Sequence, residues 1–250
     1  MKPTCALPKL SQCLATSVFA LALSCSLQAQ TYSFVDDFQF SPNGTNTSLG
    51  IWQYFEGVDA TRDGSYTLLP FFDTIVQGTN FQAWAHGNDA VPYVGVVPSG
   101  GPAFFGVPAG SGYVHPEAGV NGGLAIGFRA PTTGLFDVSF SLYNADGTAG
   151  DGVDWYLDKN SAAGNLAFGS ATQAHEVDTA SISSLALDAG DFIFLVVNAN
   201  DLNSYNNTSD STAVSFTVTQ VPEPSTFVLV GAGLAGATFF RRRPRVGKSL

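Results

Sequence analysis

Along the middle of this chain hydrophobic and polar positions alternate with a period of two. Leu124, Ile126 and Phe128 mark one short run, and Phe136, Val138, Phe140 and Leu142 mark the next, with Asp137, Ser139, Ser141 and Tyr143 interleaved. Successive side chains on a strand point to opposite faces, so each run reads as a β-strand with one buried face. Ala130-Pro131-Thr132-Thr133-Gly134 lies between them and has the proline and glycine of a tight connection, which predicts that the two strands pair as a hairpin. Downstream, Val153, Trp155 and Leu157 alternate, Phe192 to Val197 is a continuous apolar run suited to a central strand, and Val214, Phe216 and Val218 alternate in a last strand. Asp188-Ala189-Gly190-Asp191 reads as a turn. Upstream, Phe34, Phe38 and Phe40 mark a first strand, followed by strands over Ile51 to Phe55, Tyr66 to Phe72 and Tyr93 to Val97.

No stretch between the two chain ends carries a helical period. Many short strands separated by Gly, Pro, Asn and Asp, without alternating helices, predict an all-β body built as an antiparallel β-sandwich or jelly roll. The segment 31–112 either completes that sandwich or forms a small aromatic-rich subdomain, and the pattern leaves both open.

The ends follow another logic. Lys2 and Lys9 precede an apolar run from Leu10 to Leu23, and Leu27-Gln28-Ala29 offers a cleavage site, so residues 1–29 read as a secretory signal peptide with a helical core. At the far end Val221-Pro222-Glu223-Pro224-Ser225 leads into 16 residues, Ser225 to Phe240, that carry no formal charge, and these run into Arg241-Arg242-Arg243. Pro222 and Pro224 disfavour helix before them, so the motif is expected to be extended and exposed. A helix of 16 residues spans about 24 Å at roughly 1.5 Å per residue, short of the roughly 30 Å hydrocarbon core. Arginine stems that snorkel to the headgroups make up that deficit, and the arginines themselves hold this end in the cytoplasm. Residues 225–240 are therefore expected to form a single transmembrane helix. Within them Gly231-Ala232-Gly233-Leu234-Ala235-Gly236 matches a dinucleotide-binding fingerprint letter for letter, yet no acidic residue follows it and no strand leads into it, so the match is rejected.

Charge and cysteine sharpen this division. Between residues 30 and 224 only Arg62, Arg129 and Lys159 oppose all 20 Asp and Glu, a formal charge of −17. A surface so acidic excludes nucleic acid and anionic lipid as partners of the body. All three cysteines (Cys5, Cys13, Cys25) fall in the signal segment, so the body has no disulfide and relies on its core.

The order of Pro-Glu-Pro motif, apolar segment and arginine cluster resembles the PEP-CTERM tail of exported bacterial proteins, a tail also known at the C-terminus of ice-binding proteins. That resemblance implies passage across the inner membrane of a Gram-negative bacterium and recognition of Pro222-Glu223-Pro224 by an exosortase-type enzyme. Removal of the membrane helix and display at the cell surface or in the extracellular matrix would follow. The body resembles carbohydrate-binding-like jelly-roll modules over Tyr113 to Thr219. The residues that carry this likeness are Val114-His115-Pro116, Phe128-Arg129-Ala130-Pro131 with Gly134, Gly150-Asp151-Gly152-Val153-Asp154, Leu187 to Asp191 and Asp210-Ser211-Thr212. It implies a non-catalytic domain that is structural or binds glycan, with exopolysaccharide as a partner.

Little in the body points to catalysis. His86, His115 and His175 are scattered, and there is neither a nucleophile elbow nor a phosphate-binding loop. Asn144, Asp146, Asp151 and Asp154 gather hard oxygen ligands around a glycine-rich stretch, which makes them the candidate ligands of a structural Ca²⁺. Trp84 and Tyr205, set among polar, glycine-rich or asparagine-rich residues, are the candidate platforms for stacking on sugar rings. Two alternatives accompany this reading. Ice adsorption would call for a flat Thr-x-Thr array, of which Thr217-Val218-Thr219 is a short example, and a secreted glycoside hydrolase would call for two carboxylates facing each other across a cleft.

Overall fold

The computed structural model describes residues 29–38, 50–59, 61–79, 81–119, 122–145, 152–173, 175–199 and 210–222. Both expected terminal helices lie outside these residues, and among them no helix is long and apolar enough to cross a membrane. Gln30–Val221 forms one compact unit.

The described residues form fourteen strands: β1 (Thr31–Ser33), β2 (Trp52–Val58), β3 (Thr67–Leu68), β4 (Phe71–Asp73), β5 (Gln82–Gly87), β6 (Ala90–Val96), β7 (Gly112–His115), β8 (Gly123–Arg129), β9 (Gly134–Asn144), β10 (Val153–Lys159), β11 (Asn165–Ala171), β12 (Val177–Leu187), β13 (Phe192–Ala199) and β14 (Thr212–Val221). Two three-residue 3₁₀ turns are the only helical elements described. The strands make two antiparallel sheets. The first runs β12-β9-β14-β7-β6-β5-β4, with β1 also paired to β14, and the second runs β11-β10-β13-β8-β2-β3. From β8 onward every connection except the β10–β11 hairpin changes sheet, the crossing pattern of a jelly roll. Segment 31–112 supplies strands to both sheets.

The core lies between the sheets and is built by the alternation read above. Phe136, Val138, Phe140 and Leu142 of β9 and Val214, Phe216 and Val218 of β14 face Leu124, Ile126 and Phe128 of β8 and Val153, Trp155 and Leu157 of β10. Edge-to-face aromatic pairs bridge the two layers, with centroids 4.7 Å apart for Phe140–Trp155 and 5.2 Å for Trp52–Phe216. Two further apolar clusters cover outer faces. Phe81, Phe104 and Tyr113 pack where residues 97–111 fold over β5 to β7, and Phe55, Val196 and Phe194 pack with Tyr66 outside β2, β8 and β13.

Three expectations are corrected here. Strands β8 and β9 do not form a hairpin: β8 pairs with β2 and β13, while β9 pairs with β12 and β14. The 130–134 connection arches from one sheet to the other, held by Gly190 N–H to Ala130 O (2.8 Å) and Gln220 Nε2 to Thr132 Oγ1 (3.1 Å). Strand β8 is buried on both faces, and only a central strand satisfies that. The expected strand over Tyr66 to Phe72 splits at Pro70 into β3 and β4, which join different sheets, because proline has no N–H for the ladder. The first strand ends at Ser33. Phe34 and Phe38 leave it through a turn and still bury their rings in the core.

Candidate functional site

The outer face of the second sheet carries an aromatic strip at its β10–β11 edge. Ala167, Gly169 and Ala171 turn inward against Leu157, Trp155 and Val153, which leaves Phe168 and Ser170 pointing outward, in register with Tyr156 and Asp154. Phe168 is 72% exposed, the largest exposure of any large hydrophobic side chain described. Its ring lies within 26° of parallel to Tyr156, with centroids 6.5 Å apart. Ser170 Oγ donates to Asp154 Oδ1 one step along the strands, so a carboxylate and a hydroxyl border the exposed phenyl.

A buried ion pair underlies the strip. Arg62 Nε donates to Asp158 Oδ2 at 2.8 Å, Asn165 Nδ2 occupies Oδ1 at 2.8 Å, and Asp158 itself is fully buried. A buried carboxylate survives as a charge only when it is paired and hydrogen-bonded, and here both oxygens are engaged. The same guanidinium sits 3.6 Å from the Tyr156 ring centroid. Ala162 N–H to Arg62 O (2.7 Å) ties the 61–66 segment over this face, where Tyr66 meets Phe194 edge-on at 4.9 Å. Burial, and next the charge of Asp158, push the Tyr66 hydroxyl far above its ordinary range, so it stays protonated. The cation found at the strip among the described residues, Arg62, is thus neutralised from within. What remains open to solvent is an aromatic face with neutral and acidic hydrogen-bonding groups.

The residues singled out from sequence fare differently. Trp84 is 1% exposed and packs between Tyr54 (6.3 Å) and Phe72 (5.1 Å), so it is a core residue and no sugar platform. Its polar neighbourhood misled because Ala83 and Ala85, on the opposite face of β5, are buried by the outer cluster. Tyr205 lies outside the described residues. Of the proposed calcium ligands, Asp146 and Asp151 also lie outside them, and the other two sit on different sheets. Asn144 is buried on β9 with its Nδ2 3.5 Å from Ala171 O, and Asp154 is on β10 with Ser170. Among the described residues no three His, Cys, Asp or Glu side chains gather as a metal cluster. The histidines are engaged separately: His86 with Glu56 (2.7 Å), His175 with the Tyr143 hydroxyl (2.6 Å) and His115 with Pro116 O (2.8 Å). Of the sorting motif, Val221 is the last residue of β14 and Pro222 is exposed beyond it, while Glu223, Pro224, Ser225 and the arginines 241–243 lie outside the described residues.

Residue type alone does not mark Phe168 as a platform, because most phenylalanines of a β-sandwich belong to its core. A signal was present: in Ala167-Phe168-Gly169-Ser170-Ala171 the phenylalanine alternates with serine and small residues occupy the other face. That places the ring on the solvent side.

These features define a β-sandwich body with an exposed aromatic strip. The tail is specific: residues 220–243 match the PEP-CTERM protein-sorting motif. This chain therefore carries the motif by which Gram-negative bacteria sort exported proteins to the surface or membrane, with an exosortase-type enzyme as its processor. No curated protein matches the chain in sequence at a significant level. Among solved structures it is similar to a Podospora anserina GH26-CBM35 β-(1,4)-mannanase, at TM-score 0.30 and 16% identity over 70% of this chain and 29% of that one. It is also similar to a family 35 carbohydrate-binding module from Clostridium thermocellum (0.28, 21% identity, 52% of this chain and 91% of that one) and to the family 29 module CBM29-2 (0.28, 14%, 46% and 73%). The assignment of the sandwich rests on the strand pairing itself.

Proposed function

We propose that this is an exported surface or matrix protein whose body holds a neutral polysaccharide without cleaving it, and whose tail is removed on delivery. The observation that carries the reading is the exposed Phe168 ring beside Ser170 and Asp154, on a strip underlain by Arg62 and Asp158. An aromatic face takes up the apolar face of a pyranose, and the flanking carboxylate and hydroxyl bond its rim hydroxyls. The acidic body disfavours uronic or sulfated chains and leaves neutral ones. Native gels cast with galactomannan, xyloglucan or dextran test this. At least one polymer is expected to retard the protein, and Phe168→Ala to abolish or sharply reduce that retardation at unchanged melting temperature. Free migration in all three gels would overturn the reading.

Delivery is tested by intact mass of the surface-released protein. Loss of Arg241 to Arg243 is expected, and their retention would mean that the tail stays as an anchor.

A second reading, adsorption to ice, is favoured by hydroxyls aligned across the strands of the first sheet: Ser33, Thr217, Ser139 and Ser181 share one register row, and Ser215, Ser141 and Thr179 the next. Thermal hysteresis that disappears in Thr217→Tyr would establish it, and its absence in the unaltered protein would discard it.

A further inference from the structure

The opposite face of the sandwich holds a groove made by a split in the first sheet. One edge of β14 is shared by two strands, with β7 pairing at Thr212 to Val214 and β1 at Thr217 to Thr219. Between them the chain after β1 turns away. Phe34 N–H still reaches Phe216 O (2.9 Å), and the Phe34 ring packs against Gly112, where a Cβ would come within 2.5 Å of it. Above the split lies a groove of about 510 Å³, within the range of small-molecule sites.

Its chemistry is uniform. Ser141, Ser215 and Thr217 lie along the floor strands, Asp36 and Ser111 come from the flanking segments, and Tyr143 supplies a ring. The Tyr143 hydroxyl is tied to His175 Nδ1 at 2.6 Å, and the two rings stack at 5.6 Å, which fixes the orientation of the tyrosine. The described lining residues include no Lys or Arg. Hydroxyls that both donate and accept, one carboxylate and one pre-set aromatic ring suit a neutral polyol and offer nothing to an anion.

We infer that this groove is a second saccharide site, so that one body joins two polysaccharide chains. The inference rests on the proposed glycan-binding reading and adds to it a cross-linking role. The groove lies outside the first sheet and Phe168 outside the second. Face-to-face sheets are about 10 Å apart, with side chains and strands added on each side. A single extended chain does not pass through the sandwich to reach both faces, so simultaneous occupancy by extended chains recruits two of them and cross-links the polymer.

The test uses the full exported protein with galactomannan, xyloglucan and dextran, and a hexasaccharide of whichever polymer retards it. Calorimetry is expected to give two hexasaccharides per chain. Solution viscosity of the polymer is expected to rise with added protein and to fall again when protein is in excess. Phe168→Ala and Ser215→Tyr, the second an exposed strand position where tyrosine fills the groove, should each leave one hexasaccharide per chain and abolish the viscosity peak. Ser215→Thr should preserve both. Binding retained by Ser215→Tyr through Phe168 shows that this variant is folded. One hexasaccharide per chain, with all binding lost in Phe168→Ala, would overturn the groove site while sparing the glycan-binding reading, even if a dimer cross-linked the polymer. No binding of any polymer would overturn both.

Discussion

The guanidinium of Arg62 lies 3.6 Å over the ring of Tyr156, although 94 positions separate the two residues in the chain. Arg62 belongs to a loop and Tyr156 to β10, and Asp158 beneath them makes the contact necessary, because its buried charge needs a cation. The aromatic strip is thus organised by an ion pair that no local pattern announces.

Removing the cation leaves Asp158 buried and half-paired. Arg62→Met is expected to cost about 3–5 kcal/mol, the usual penalty for breaking a buried pair from one side. Arg62→Met combined with Asp158→Asn should cost clearly less than Arg62→Met alone. Urea unfolding of the three proteins measures both effects, and equal losses would show that the charge of Asp158 is not what Arg62 answers.

Trp84 is placed in the core. Trp84→Ala should cost about 3–5 kcal/mol through the cavity it leaves. Trp84→Phe should cost less, because the indole N–H is buried without a partner among the described residues. Retardation by polysaccharide should be the same in Trp84→Phe as in the unaltered protein. A selective loss of binding there would return Trp84 to the site.

His86 of β5 reaches Glu56 of β2 and thereby links the two sheets. The hydrogen bond that the protonated His86 ring donates to Glu56, and then the charge of that carboxylate, raise the His86 pKa above its ordinary value. A histidine raised on folding stabilises fully below its unfolded pKa of about 6.5, and that contribution fades as pH climbs through the raised value. The ring is largely exposed, so the effect is that of a surface pair, at most a few degrees of melting temperature. Melting curves from pH 5 to 9 should show this decline in the unaltered protein and lose it in His86→Ala.

Gly112 lies where β7, β14 and the Phe34 turn converge. A Cβ there would meet Phe34 Cε1 at 2.5 Å and the backbone oxygen of Val214 at 2.5 Å, and the backbone cannot yield cheaply. Gly112→Ala should cost about 1–3 kcal/mol by overpacking. It should also weaken binding in the groove more than binding at Phe168. Equal effects at the two sites would mean that the split does not shape the groove.

What the sequence disclosed was local. Strands β9, β10, β13 and β14 were legible because alternation is written in consecutive residues, and the sorting motif because it is read as a linear string. Pairing was not legible. The run Leu124 to Phe128 and the run Phe136 to Leu142 look like neighbours until burial on both faces of β8 places it in the centre of the other sheet. The hydroxyl rows of the first sheet draw on β1, β9, β12 and β14, so a search for Thr-x-Thr within any one of the described strands finds only Thr217 and Thr219. Trp84 is buried despite its polar neighbours, because a polar context along the chain says nothing about which loop folds over a strand.

The last strand ends where the sorting motif begins. Strand β14 lies inside the first sheet, bonded to β9 on one side and to β7 and β1 on the other, and it closes with Val221, directly before Pro222. The first sheet therefore lacks its middle until the final residues of the body are in place. Completion of the sheet and possession of the motif are coupled in the sequence, and a chain truncated before Thr212 would lose both together.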